Sequence, residues 1–142
     1  YTFCFKPRFG YKPIMTSNII KNKFTININN KSLKIRSFDV QHGLIKATGY
    51  LFDKVAYISD CNKIPVKSFK NLYNLEYLVI DCLRRNKHPS HFNYDEALEL
   101  INIVKPKKAI LTNLHTDLDY NYLKKRLPKN IIPAYDGLSF NF

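Results

Sequence analysis

The chain has 142 residues, of which 45% are hydrophobic and 14% aromatic, enough for the core of one ordinary domain and too many for a disordered segment. Its 23 Lys and Arg outweigh 11 Asp and Glu to give a net charge of +12, a balance that favours anionic partners such as phosphates or nucleic acid. No apolar run approaches the roughly 20 residues that a membrane span needs, and Cys4, Cys61 and Cys82 are too few and too scattered for a disulfide framework or a clustered zinc knuckle.

The N-terminus lacks the charge-then-apolar order of a signal peptide, so the expected location is the cytoplasm and the cysteines are read as reduced thiols. Part of the basic excess is compositional, because Lys6, Arg8, Arg84-Arg85 and Lys107-Lys108 lie far apart and form no arginine-rich helix. The chain starts at Tyr1 without an initiator Met, and the expectation drawn from this is a single partial domain over residues 1–142, cut or cleaved from something longer.

Taken in order, the predicted elements begin with short strands at Thr2 to Phe5, Ile14 to Ile20, Lys23 to Ile28 and Leu33 to Val40. Asn29-Asn30-Lys31 supplies residues that tolerate the positive φ of a hairpin turn. Lys46 to Phe52 and Val55 to Ile58 continue an all-β first part. From Ser59 the rhythm changes to a helix at Ser68 to Tyr73, a strand at Tyr77 to Leu83, and a helix at Tyr94 to Val104 capped by Asn93. A strand at Ala109 to Thr112, a helix at Tyr120 to Leu127 stopped by Pro128, and a strand around Ile131 to Tyr135 complete a βαβαβ order. The fold class is therefore α/β, a sheet covered by helices.

The polar candidates lie just past strand ends, where open sheets place function. They are Gln41-His42-Gly43, Ser59-Asp60 and His115. Two histidines and an aspartate from separate loops suit a borderline divalent metal, since imidazole gives neutral nitrogen and a carboxylate can bridge two ions. Any one of these histidines alone is more often a satisfied or exposed side chain than a ligand, and an Asp after a strand is more often a turn former.

Longer strings add to this: Val40-Gln41-His42-Gly43, Ala56-Tyr57-Ile58-Ser59-Asp60, His88-Pro89-Ser90-His91-Phe92, Leu111-Thr112-Asn113-Leu114-His115 and Pro133-Ala134-Tyr135-Asp136-Gly137-Leu138. Together they resemble the C-terminal half of the metallo-β-lactamase superfamily αββα sandwich, in the phosphodiesterase branch related to tRNase Z and the phosphoribosyl cyclic phosphodiesterases. The resemblance implies two divalent ions, zinc or manganese, with His42 as a ligand to one and Asp60 bridging both. It assigns the last ligand to His115, with Asn113 as a weaker oxygen donor in reserve. It places His91 over the scissile phosphate as a proton donor; in the same loop, His88 and the guanidinium forks of Arg84 and Arg85 are candidate phosphate contacts, although histidines at a helix start and paired arginines after a strand are also ordinary packing and solvated residues.

The superfamily's leading motif, His-x-His-x-Asp-His, occurs nowhere in the sequence, and His42 is its first histidine. The implied activity is thus metal-dependent phosphodiester hydrolysis, absent from the isolated chain until an N-terminal half is supplied upstream or as a separate chain. The alternative is a non-catalytic remnant that binds nucleotide or RNA. A third reading is an orphaned half-fold that covers its apolar sheet face by forming a homodimer.

Overall fold

A computed structural model describes residues 2–142, Phe3 by its backbone alone; Tyr1 lies outside them. After a short helix α1 (Thr2–Phe5) come β1 (Lys23–Ile28), β2 (Lys31–His42), β3 (Ile45–Phe52) and β4 (Val55–Ile58). A 3₁₀ helix (Val66–Leu72) leads to β5 (Tyr77–Asp81), α2 (Tyr94–Val104), β6 (Lys108–Thr112), α3 (Tyr120–Arg126) and β7 (Ile131–Pro133).

The seven strands form one sheet in the order β1-β2-β3-β4-β5-β6-β7. Pairing is antiparallel from β1 to β4 and parallel from β4 to β7. The switch at β4 is the change of rhythm read at Ser59: hairpins need only short turns, whereas parallel neighbours need crossovers. The β1–β2 turn places Asn29 at φ 48 and Asn30 at φ 63, the positive values that a tight hairpin demands and that Asn tolerates. At α2, the Asn93 side chain accepts from the Glu96 backbone N–H while the Glu96 carboxylate accepts from the Asn93 N–H, a reciprocal cap.

Three expectations are corrected. Thr2–Phe5 is helical, and its backbone is satisfied locally, with Cys4 O accepting from Ile14 and Met15 N–H. The run Ile14 to Ile20 forms no strand, and Ile19 is 98% exposed. Both runs have strand-like composition but no neighbouring strand to pair with, and an unpaired strand has no ladder to satisfy its backbone. The helix expected from Ser68 starts at Val66 and is 3₁₀; Pro65 occupies its N-cap position without a side-chain cap bond.

The core lies on the helix-covered face, where Phe38, Val40, Ile58, Leu78, Ile80 and Leu111 of the sheet are buried together with Ala97, Leu100 and Ile101 of α2. Gly49 is required there, because a Cβ at this position would come within 2.6 Å of the Phe38 ring and 3.3 Å of Ile58 Cγ1. Gly49→Ala is therefore expected to cost about 1–3 kcal/mol of stability through overpacking, read from the shift in urea midpoint; an unchanged midpoint would show that Phe38 moves aside freely. On the opposite face, Phe24, Ile26, Leu33, Ile35, Tyr50, Phe52 and Tyr57 line an apolar concavity of about 390 Å³. The C-terminal Phe140 stacks on Tyr77, and Phe142 meets Phe52 edge-on.

Candidate metal centre

His42 ends β2, Asp60 follows β4, and His91 precedes the cap of α2. The sheet order brings these three separate segments together: one donor atom from each of His42, Asp60 and His91 lies within 4.8 Å of the others. Gly43, at φ +61, turns the chain after His42 and lets it approach the next loop, where a Cβ would meet Ser90 Cβ at 3.0 Å. Its N–H donates to Asn62 Oδ1 at 3.0 Å, and Asn62 Nδ2 donates to Pro89 O at 3.0 Å. Three segments are thereby tied around the cluster.

Each imidazole is oriented from behind. His42 Nδ1 is 2.8 Å from Ser90 O, so Nδ1 carries the proton and donates, leaving Nε2 with its lone pair. His91 Nδ1 donates to Asp81 Oδ2 at 2.6 Å, which likewise leaves Nε2 free. Backing a ring nitrogen with a carbonyl or carboxylate is how proteins set the tautomer of metal-binding or proton-transferring histidines. The two rings meet edge-on at 4.6 Å, and His88 lies 5.0 Å from His91. The exposed Asp60 keeps a carboxylate oxygen bonded to Ser59 Oγ at 2.8 Å. The His42 imidazole and the Asp60 carboxylate suit a divalent ion in ligand type, and the His91 ring lies directly beside them.

Asp81 is the residue the sequence reading did not single out. It is 0% exposed and accepts three donors: the Cys61 N–H at 2.9 Å, His91 Nδ1 at 2.6 Å and Asn113 Nδ2 at 3.1 Å. Burial raises its carboxyl above the ordinary range, opposed by the hydrogen bonds from Cys61, His91 and Asn113. The available signal was a lone carboxylate closing the apolar run Leu78-Val79-Ile80, since such a group is tolerated in a core only when fully hydrogen-bonded.

The other predicted residues fall differently. His115 is not among the clustered donors; its Nδ1 lies 3.3 Å from Asp117 Oδ1 on the exposed surface. Asn113 instead bonds Asp81, which backs His91. Its φ of 63 turns the backbone directly after β6, which points its amide at Asp81 and carries the following residues outward. Arg84 gives two donors to its own loop, at Asn86 O and Lys87 O, and so shapes that loop. Arg85 bonds Asp117 through its backbone N–H and Nε and lies over the Tyr122 ring at 4.6 Å. His88 shares its Nδ1 with Ser90 N–H and Oγ, and desolvation, then the charge of Arg84, lower its pKa. Burial pushes the Cys61 and Cys82 thiols up to about 12, so neither is a nucleophile at neutral pH.

Residues 5–113 match the family model described as a beta-lactamase superfamily domain. The chain belongs to the beta-lactamase superfamily. Among solved structures, a diphosphatase from the PhnP family is 30% identical with a TM-score of 0.79, over 87% of this chain and 47% of that one. Human tRNase Z, short form, shares the fold at 13% identity and a TM-score of 0.61, over 82% of this chain and 44% of that one. An octanoyltransferase of Porphyromonas gingivalis is 29% identical over 109 residues, 75% of this chain and 22% of that protein. The chain thus spans about half the length of the superfamily structures and under a quarter of the octanoyltransferase. As in the superfamily, the sheet is mixed and the helices cover it, and no helix among the described residues is long and apolar enough to cross a membrane.

Proposed function

We propose that this domain carries part of a metal-dependent phosphodiester hydrolase centre of the cytoplasm, completed by ligands from outside these 142 residues. The observation that carries the reading is the convergence of His42 from the end of β2, Asp60 from beyond β4 and His91 from the loop before α2, each held from behind. The likeness to a diphosphatase at 30% identity supports phosphoryl chemistry as the class. His42 and Asp60 would hold the ion, which supplies Lewis acidity and a water of lowered pKa. Two ions need more donors than one imidazole and one carboxylate offer, so the further ligands come from an upstream segment or a separate chain. The apolar concavity between Phe24 and Tyr57 is a suitable seat for that segment.

His91 faces the same space and donates a proton to the leaving oxygen. Asp81 holds its ring in the tautomer that leaves Nε2 toward the reacting group, and it stabilises the imidazolium form needed before transfer. His88 binds the phosphate by hydrogen bonds, and Arg84 and Arg85 supply charge at the rim. Asn113 fixes the far oxygen of Asp81.

The test is hydrolysis of bis-p-nitrophenyl phosphate with zinc or manganese, using the chain together with the polypeptide that supplies the remaining ligands. A rate above that of the His42→Ala, Asp60→Ala double variant is expected, and equal rates would end the proposal.

A further inference from the structure

β1 pairs with β2 only as far as Lys23↔Arg36, so β2 presents an open edge from Ser37 until Gln41, which pairs with Lys63. Neighbouring segments bridge that edge at separate points: Ser37 N–H donates to Asn22 O at 3.0 Å, and Ser68 Oγ donates to Asp39 O at 2.7 Å. Between the bridges lies a cavity of about 650 Å³ whose walls include Lys23, Arg36, Lys67, Lys70, Asp39 and Asn71. Four cations face one carboxylate there.

That carboxylate is already engaged. Asp39 Oδ2 pairs with Lys46 at 3.1 Å and with Lys67 at 3.4 Å. Lys23, Arg36 and Lys70 have no carboxylate within ion-pairing reach among the described residues. Three uncompensated cations around one concavity form a local positive field that attracts phosphate. Asn71, 4% exposed on the same wall, donates to Ser68 O but keeps Oδ1 without a partner. A small rotation of its amide would let a ligand hydroxyl satisfy that acceptor.

The volume lies within the roughly 300–1,000 Å³ typical of organic-ligand pockets, more room than one phosphate ion requires. The one aromatic side chain in the wall, Phe38, is 8% exposed, so no stacking platform is offered to a base. Cations without a stacking face suit a sugar–phosphate backbone read by charge and hydroxyls. Arg36 and His42 lie on the same strand, six residues apart (42 − 36), roughly 20 Å at about 3.3 Å per residue. A strand of several nucleotides would span that distance.

We propose that the cavity at the open edge of β2 binds the phosphate backbone of a nucleic-acid strand through Lys23, Arg36 and Lys70. The proposal rests on the hydrolase reading only for the direction of the strand, toward His42. It makes a polynucleotide, bound without base readout, the substrate class of that centre.

The test is fluorescence anisotropy of a short labelled single-stranded oligoribonucleotide, titrated at several salt concentrations. In the triple variant Lys23→Ala, Arg36→Ala, Lys70→Ala, binding is expected to weaken more than about tenfold and the salt slope to fall by about 2, at roughly 0.7 per phosphate contact. The equal-charge control Lys124→Ala, Lys125→Ala, Lys129→Ala, on the exposed side chains of and beyond α3, is expected to stay close to the parent. Lys23→Arg, Lys70→Arg, which keeps the charge, is expected to keep the affinity and so separates a lost contact from a lost fold. Equal weakening by both triple variants, no binding by the parent, or displacement of the strand by an equal concentration of inorganic phosphate would each overturn the proposal. Strand binding by the His42→Ala, Asp60→Ala variant is expected to match the parent, and its loss would overturn this site; bis-p-nitrophenyl phosphate hydrolysis no faster in the parent than in that variant, with strand binding intact, would end the hydrolase reading and leave this site standing.

Discussion

Asp81→Ala is expected to lower the unfolding free energy by about 3–5 kcal/mol, the range for removing one partner of a buried charged pair. Three donors converge on this fully buried carboxylate, from the Cys61 backbone, the His91 ring and the Asn113 amide. Alanine satisfies none of them and leaves a polar void beneath the cluster. Asp81→Asn separates charge from shape. One amide oxygen can still accept from Cys61 N–H and His91 Nδ1, and Asn113 can turn its own amide to present oxygen to the new NH₂. The asparagine variant should therefore lose only about 1 kcal/mol. Urea unfolding of the two variants distinguishes these outcomes, and near-equal losses would mean that the charge, not the hydrogen-bond framework, is what the fold requires.

His91→Ala should cut phosphodiester turnover by about 10²–10⁴-fold, the usual contribution of a positioned general acid, in the assembly that holds the remaining ligands. Metal content should stay at the parental level, because His42 and Asp60 are assigned the ion. If His91→Ala instead releases the metal, its place within 4.8 Å of the other two donors is that of a ligand, and the proton must come from elsewhere. Asp81→Asn adds a check on positioning: it should retain metal and depress turnover, because the ring keeps its hydrogen bond but loses the carboxylate that stabilises its charged form.

Much of the architecture was legible because hydrophobic period and turn chemistry agree in the middle of the chain. The Asn29-Asn30 turn, the capped helix after Asn93 and the shift from hairpins to crossovers all follow from local residue types. The first twenty residues misled for a physical reason: strand composition is a preference for a pleated, half-buried surface, and at Ile14 to Ile20 no such surface is provided. His42 and Asp60 could be picked from strings at strand ends and His91 from the loop before the Asn93-capped helix, yet only the fold shows that they meet. The sequence ranked His115 ahead of Asn113, but could not foresee the left-handed φ at Asn113 that turns its amide to Asp81 while His115 sits on the exposed surface. Asp81 was hidden inside an apolar run, where a carboxylate has meaning only once its three donors are seen.

The most direct measurement is the zinc and manganese content, after dialysis, of the chain assembled with the polypeptide that completes its ligand set. Stoichiometric metal in the parent and its loss in Asp60→Ala are the expected results. A parent without bound metal, or an Asp60→Ala variant that retains it in full, would contradict the assignment of this cluster as a metal centre.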